Sequence, residues 1–219
     1  MAAPERDRFV SVLLDRYGTT YAAEAGIDVR RNTPSPLFRL LVLSLLLSAR
    51  IRASVAVAAA KALYAAGWTT PRAMAAAGWE PRVRVLNRSG YARYDEKTSR
   101  MLGQTCEILL ERWHGDLREL RREARCDPER ERALVKVFPG IGDVGVDVFF
   151  REVQVSWSEL FPFADRRALA VAEQLGLGSD ARTLATGLEP ETYARLVAAL
   201  VRVALARAID DVRAAAAAP

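Results

Sequence analysis

The sequence is poor in the side chains that hold metals. Its 219 residues include two cysteines, Cys106 and Cys126, and one histidine, His114. That is too few for a disulfide framework. By themselves they cannot make a structural zinc site or a four-cysteine iron–sulfur cluster. No metal site is expected, and the compartment expected is a reducing cytoplasm. Long apolar runs are missing too. The most apolar stretch, Leu40 to Ala49, lies between Arg39 and Arg50. It is far short of the ~20 residues that cross a bilayer, so it reads as a buried core helix. Met1 to Arg8 is charged and lacks an apolar signal core, so neither a leader nor a membrane partner is expected. Few segments look like strands, and there is no internal repeat and no long linker.

What is abundant is alanine, leucine and arginine. Half the residues are hydrophobic, enough for a sizeable core and one or two lobes, which excludes a disordered chain. The net charge of +5 permits a polyanionic partner without requiring one. Arginine heavily outnumbers lysine, which suits phosphate forks but equally reflects a GC-rich genome.

Apolar residues recur at three and four positions, which predicts an all-α protein. Glu5 to Tyr17 reads as a first helix. Thr19 to Thr33 reads as irregular, with a short helix near Tyr21 to Ala25. Ser35-Pro36 supplies a cap residue and a first-turn proline for a central helix to about Leu47. Further helices are expected from Ala53 to Gly67, from Thr70-Pro71 to Gly78, and from Glu80-Pro81 to a break at Ser89-Gly90. Tyr94 to Trp113 is a long helix, and Leu117 to Glu123 a short one. Asp127-Pro128 opens another, Asp143 to Val153 follows, and Asp165 starts a helix ending near Gly176. The last is expected from Glu189-Pro190 to about Val212, with Ala214 to Pro219 frayed. Trp68, Trp79, Trp113 and Trp157 read as packing residues. The mixed charges from Asp116 to Arg132 read as a solvated face.

The most informative segment is Val137-Phe138-Pro139-Gly140-Ile141-Gly142-Asp143-Val144-Gly145. Two glycines around one aliphatic residue, between helical segments, let the backbone turn tightly and come close to something bulky. The following helix would present its first-turn N–H groups there, where the dipole favours an anion. A helix, a Gly-Ile-Gly hairpin and a second helix can hold a DNA phosphate independently of sequence.

Other segments then fall into a familiar order. Leu45-Leu46-Leu47-Ser48-Ala49-Arg50 resembles an apolar helix ending in a Leu-Ser-Ala-Gln turn. Gly90-Tyr91, followed by a helix with Lys97 and Cys106-Glu107-Ile108-Leu109, resembles a Gly-Leu-Tyr segment and its next helix. Phe138 to Gly142 resembles a Leu-Pro-Gly-Val-Gly hairpin. Phe163-Ala164-Asp165-Arg166-Arg167, with Leu175-Gly176-Leu177 beyond, resembles a Val-Asp-Thr-His segment and a later Leu-Gly-Leu. Over roughly residues 35 to 177 the chain resembles the helix-hairpin-helix (HhH-GPD) DNA glycosylases of the endonuclease III type. The hairpin alone is a weak mark. An aspartate 23 residues after Gly142 at a helix start is much more specific.

The resemblance implies an all-α, two-lobed fold with a DNA cleft and a flipped-out target nucleotide. Residues 35–125, with the helix-hairpin-helix at 126–160, would form one lobe. Residues 1–34 plus 161–219 would form the other, in a single compact unit. The family's catalytic aspartate corresponds to Asp165, where a carboxylate offsets positive charge developing on the sugar and positions water. Read without the resemblance, Asp165 is an ordinary helix N-cap, and one residue can do both. DNA contacts are expected from Gly140, Ile141, Gly142, Val144 and Gly145. Arg50 falls where the family fills the gap left by a flipped base. Tyr91 falls near a wedge residue, with Arg93 beside it. Arg166 and Arg167 flank the aspartate.

Three departures refine the expectation. Bifunctional members carry a lysine two residues after the second glycine, and this chain has Val144. A Schiff base on that lysine is therefore not available, and Lys136 and Lys97 read as surface lysines. Asp143 stands where an arginine or small polar residue is usual, either as a cap turned aside or as a repulsive charge. No cysteine follows Cys126, so no iron–sulfur cluster is expected, while a monovalent cation at the hairpin stays open. The expectation is a monomeric, monofunctional DNA glycosylase of base-excision repair acting on duplex DNA, cytoplasmic and nucleoid-associated if bacterial. The alternatives are a non-catalytic DNA-binding or damage-sensing protein on the same scaffold, or an RNA- or protein-binding helical domain.

Overall fold

The structure, a computed structural model, describes residues 3–217, and among them every regular element is helical. In chain order these are α1 (Ala3–Tyr17), α2 (Tyr21–Glu24), α3 (Pro34–Leu47), α4 (Ala53–Ala65), α5 (Pro71–Ala76), α6 (Trp79–Leu86) and α7 (Asp95–Trp113). Then come α8 (Leu117–Ala124), α9 (Pro128–Val135), α10 (Asp143–Val153), α11 (Arg166–Gln174), α12 (Ala181–Ala185), α13 (Pro190–Ala206) and α14 (Ile209–Ala217). A π-type turn at Asn87–Tyr91 and 3-10 turns at Val29–Arg31 and Ser158–Leu160 link them. The chain divides into a larger unit, 22–159, and a smaller one formed by 1–21 and 160–219. Residues 22–34 thus belong with the larger unit.

In the larger unit α3 is the hub. Its side chains from Leu40 to Leu46 are all buried, as expected of a helix that is apolar all round. It starts two residues earlier than expected. Pro34, not Pro36, takes the first helical position after Thr33, and the Ser35 hydroxyl instead donates to the Thr69 carbonyl (2.9 Å). Helices α4, α8 and α10 pack around α3, while α5 and α6 pack on α7. Arg82 is buried between α6 and α7, donating to the Met74 carbonyl (2.7 Å) and the Ser99 hydroxyl (3.3 Å). Gly103 makes room for it, since a Cβ there would lie 2.8 Å from the guanidinium.

Trp113 and Trp157 are core residues, but Trp79 is exposed and donates from its indole to the Glu96 carbonyl (3.3 Å). The charged run from Asp116 to Arg132 is not wholly solvated either. Glu131 is fully buried. No donor faces either of its oxygens, and the polar group beside it is the Glu159 carboxyl, itself bound by Arg121 through two bonds of 2.5 Å. Burial, then the proximity of Glu159, pushes the Glu131 carboxyl up to about 9. A bond between the two carboxyls therefore needs a proton on Glu131.

The smaller unit is built on α13, with α1 and α11 packed against it and α14 on α1. Leu13, Val171, Leu184, Leu196, Val197, Leu200 and Val212 form its core. The single long terminal helix expected from the sequence is two helices. Arg207 takes the left-handed conformation (φ 56°), closes α13 and turns the chain into α14. Ala214 to Ala217 are helical and not frayed, because Val212 and Ala216 bury the inner face of α14. Ala218 and Pro219 lie outside the described residues. Helix α12 was not foreseen; its Asp180 cap is its one strong local signal.

Candidate functional site

The hairpin runs from Lys136 to Asp143, between α9 and α10. Phe138 and Ile141 point inward, Val137 is exposed, and the two glycines differ in what they face. Phe138 is buried against Trp113 (ring centroids 5.6 Å), and Ile141 is buried beneath the turn. Gly140 has φ +86°, and a Cβ there would lie 2.6 Å from the Met101 sulfur, so both backbone and packing demand glycine. Gly142 is different. Its φ is −97°, and nothing stands within 4 Å of where a Cβ would be. It caps α10 without a side-chain bond, leaving the first-turn amides without an intrahelical acceptor. Gly145, one turn into α10, faces the interior and touches Ser48 and Ile141.

Two further turns lie at this end of the larger unit. Ser48 to Arg52 follows α3, and the Ser48 hydroxyl, bonded to the Ser44 carbonyl (2.7 Å), sits against Gly145. Asn87 to Tyr94 is held by Asn87 donating to Asp95 (2.8 Å) and by Tyr91, whose hydroxyl donates to the Leu46 carbonyl at the end of α3 (2.8 Å). Tyr91 is therefore not a wedge. It is wholly buried, and its ring anchors the turn. The exposed arginines in these turns are Arg50, Arg52, Arg88 and Arg93, the last lying over the Tyr94 ring at 5.4 Å. Ile141 has its side chain inside, so what it can offer a ligand is its backbone.

Charge at the hairpin is organised in pairs. Lys136 forms an ion pair with Asp143. Arg132, one turn earlier on α9, lies 3.0 Å from Asp147 and 3.8 Å from Asp143. Lys136, expected as a solvated lysine, is thus held across the hairpin. Its bond and charge, with Arg132 behind, keep the Asp143 carboxyl below the usual range. Val144 is 57% exposed on the first turn of α10.

Asp165 lies in the smaller unit. Its Oδ1 accepts from the amides of Arg167 (2.9 Å) and Ala168 (3.1 Å), capping α11. Asp127 and Asp180 cap α9 and α12 with the same pair of bonds, and Asp116 caps α8 with one. Asp165 is the buried one of the four, 8% exposed. The cap fixes the carboxylate, and Ala168 anchors the helix in the core. Upstream of it, Phe161 lies edge-on to Tyr193 of α13 at 5.4 Å. Arg166 and Arg167 are exposed in the first turn of α11, where the helix dipole disfavours cations.

No family model matches the chain, and no curated protein matches it. A solved structure does. A trapped endonuclease III–DNA covalent intermediate, in an estranged-adenine complex, is 18% identical to this chain with a TM-score of 0.52. The match covers 93% of this chain and 86% of that one. The chain has the endonuclease III fold. At that coverage the likeness extends over both units. Endonuclease III-type proteins commonly hold a four-cysteine cluster, and this chain's residues do not fit one. Cys106 is buried within α7 and Cys126 is exposed after α8, and burial pushes the Cys106 thiol up to about 12. Two cysteines cannot supply four thiolates.

Proposed function

We propose that the protein is a DNA glycosylase of base-excision repair, hydrolysing the bond between a damaged or mismatched base and its sugar in duplex DNA. The observation that carries the reading is a buried aspartate fixed at a helix start, on the endonuclease III fold, in a chain that also has the glycine hairpin. In this reading the hairpin amides and the exposed arginines of the neighbouring turns hold the backbone. The base is extruded from the stack. As the C1′–N bond breaks, the departing base takes the bonding electrons and the sugar gains positive charge. Asp165 offsets that charge and accepts a proton from the water whose oxygen bonds to C1′. The departing base takes up a proton from solvent, Asp165 returns the proton it accepted to solvent, and an abasic site remains. Val144 offers no amine, which supports water rather than lysine as the nucleophile.

The test is a panel of duplex oligonucleotides, each with one modified base, with each reaction divided and half treated with hot alkali. Alkali-dependent cleavage at one lesion, lost in Asp165→Asn, is the expected result and identifies the substrate. Cleavage without alkali overturns the monofunctional reading. A second reading, a non-catalytic DNA-binding or damage-sensing protein, is favoured by one observation: Asp165 makes the same pair of cap bonds as Asp127 and Asp180. Duplex binding with no excision across the panel would decide for it.

A further inference from the structure

The cations and anions at the hairpin form a ladder. Arg132 and Lys136 stand one turn apart on α9 and its C-cap, facing Asp143 and Asp147, one turn apart on α10. The two rungs differ. Arg132 is tied down: it reaches Asp147 at 3.0 Å, and its guanidinium lies over the Phe150 ring at 5.1 Å. The Lys136 rung is at the solvent edge. Its side chain is 38% exposed and that of Asp143 is 74% exposed. An exposed pair of this kind contributes little to stability. Lysine presents a mobile point charge that can change partners without loss of fit.

Resting on the DNA reading above, we propose that Lys136 is a backbone-phosphate ligand and Asp143 its intramolecular placeholder, so that duplex engagement exchanges a carboxylate for a phosphate. Asp143 then tunes affinity. It keeps Lys136 beside the hairpin when DNA is absent, and it competes with the phosphate when DNA arrives. Arg132 keeps its Asp147 partner throughout, so one charge moves. The unexpected acid at position 143 is thereby accounted for. The chain lacks a cation at positions 143 and 144, and α9 supplies one from the other side of the turn.

The exchange makes a prediction that simple repulsion does not. In the natural chain Lys136 gains a phosphate but gives up Asp143. In Asp143→Asn it gains the phosphate and gives up nothing. Removing Lys136 must therefore cost more in the Asp143→Asn background. The experiment is a double-mutant cycle of duplex binding, with Lys136→Gln, Asp143→Asn and the double variant, titrated over a range of salt. Thermal melts of each confirm folding. Expected results are several-fold tighter binding for Asp143→Asn and several-fold weaker binding for Lys136→Gln. The salt slope of Lys136→Gln should be shallower by about 0.9, and the cost of losing Lys136 at least threefold larger when Asp143 is absent. Additive effects, or unchanged affinity in Lys136→Gln, overturn the exchange while leaving the glycosylase reading intact. Absence of duplex binding in the natural chain overturns the DNA reading beneath it.

Discussion

Ser48 occupies the space that a side chain at Gly145 would need: a Cβ built there falls 2.5 Å from the Ser48 hydroxyl and 2.9 Å from Ile141. The hydroxyl is itself bonded to the Ser44 carbonyl, so it cannot swing away without losing that bond. Helices α3 and α10 meet through a glycine. Gly145→Ala should therefore lower stability by about 1–3 kcal/mol, the usual cost of overpacking. Gly142→Ala, into open space, should lose no more than about 1 kcal/mol, the cost of a poorer cap, yet weaken duplex binding, because its Cβ lies on the exposed face. Urea denaturation and a binding titration on both variants measure this. Equal destabilisation by the two would show that the turn is not divided into an inner and an outer face.

Asp165 has two roles to separate. Asparagine also caps helices, so Asp165→Asn should stay within about 1 kcal/mol of the natural stability, while Asp165→Ala should lose about 1 kcal/mol. Excision should vanish in both. If Asp165→Asn keeps its excision rate, the residue is a cap and nothing more.

Tyr91→Phe removes a hydroxyl that donates to a buried carbonyl. The expected loss is about 1–2 kcal/mol of stability, because the Leu46 carbonyl is left without that donor. Duplex affinity should be unchanged once the protein is folded. A loss of affinity at full folding would return Tyr91 to the interface.

Glu131 makes stability depend on pH. Its folded-state value, about 9, lies above the ordinary value of an unfolded chain, so the folded protein binds the extra proton. The stabilising protonated state is fully present below the unfolded carboxyl's pKa. It is lost progressively as pH rises towards 9. Glu159 moves the opposite way. Burial raises it, but the bonds from Arg121 and Glu131 outweigh burial and hold it low, so the pair gives one broad dependence. Glu131→Gln keeps a donor for Glu159 and cannot ionise. It should flatten the fall in stability between about pH 5 and 9 and be the more stable protein at pH 8, by about 1 kcal/mol or more. Melting temperatures across that range measure it, and parallel profiles would refute the assignment.

Much of the helical plan is local and was legible in the sequence. Thr70-Pro71, Asp127-Pro128 and the Asp165 cap mark helix starts because a side-chain oxygen and a fixed φ act within one turn. The Phe-Pro-Gly-Ile-Gly hairpin was legible for the same reason: glycine is the residue that most readily takes the left-handed backbone of a tight turn. The even burial of α3 followed from its lack of a polar face. Tertiary structure alone decided the rest. Arg207 ends α13 with no breaker in its sequence, because α14 turns back onto α1 to bury Val212 and Ala216. Tyr91 goes inward because the Leu46 carbonyl at the end of α3 is within its reach, a distance set by how α3 meets the turn. Glu131 looks like one charge among many until α8 and the residues before 160 close over it. Lys136 and Asp143 look unrelated until the hairpin brings the end of α9 to the start of α10. Local rules fix where the backbone turns. Which side chains then meet depends on packing between segments distant in sequence, and no single segment carries that information.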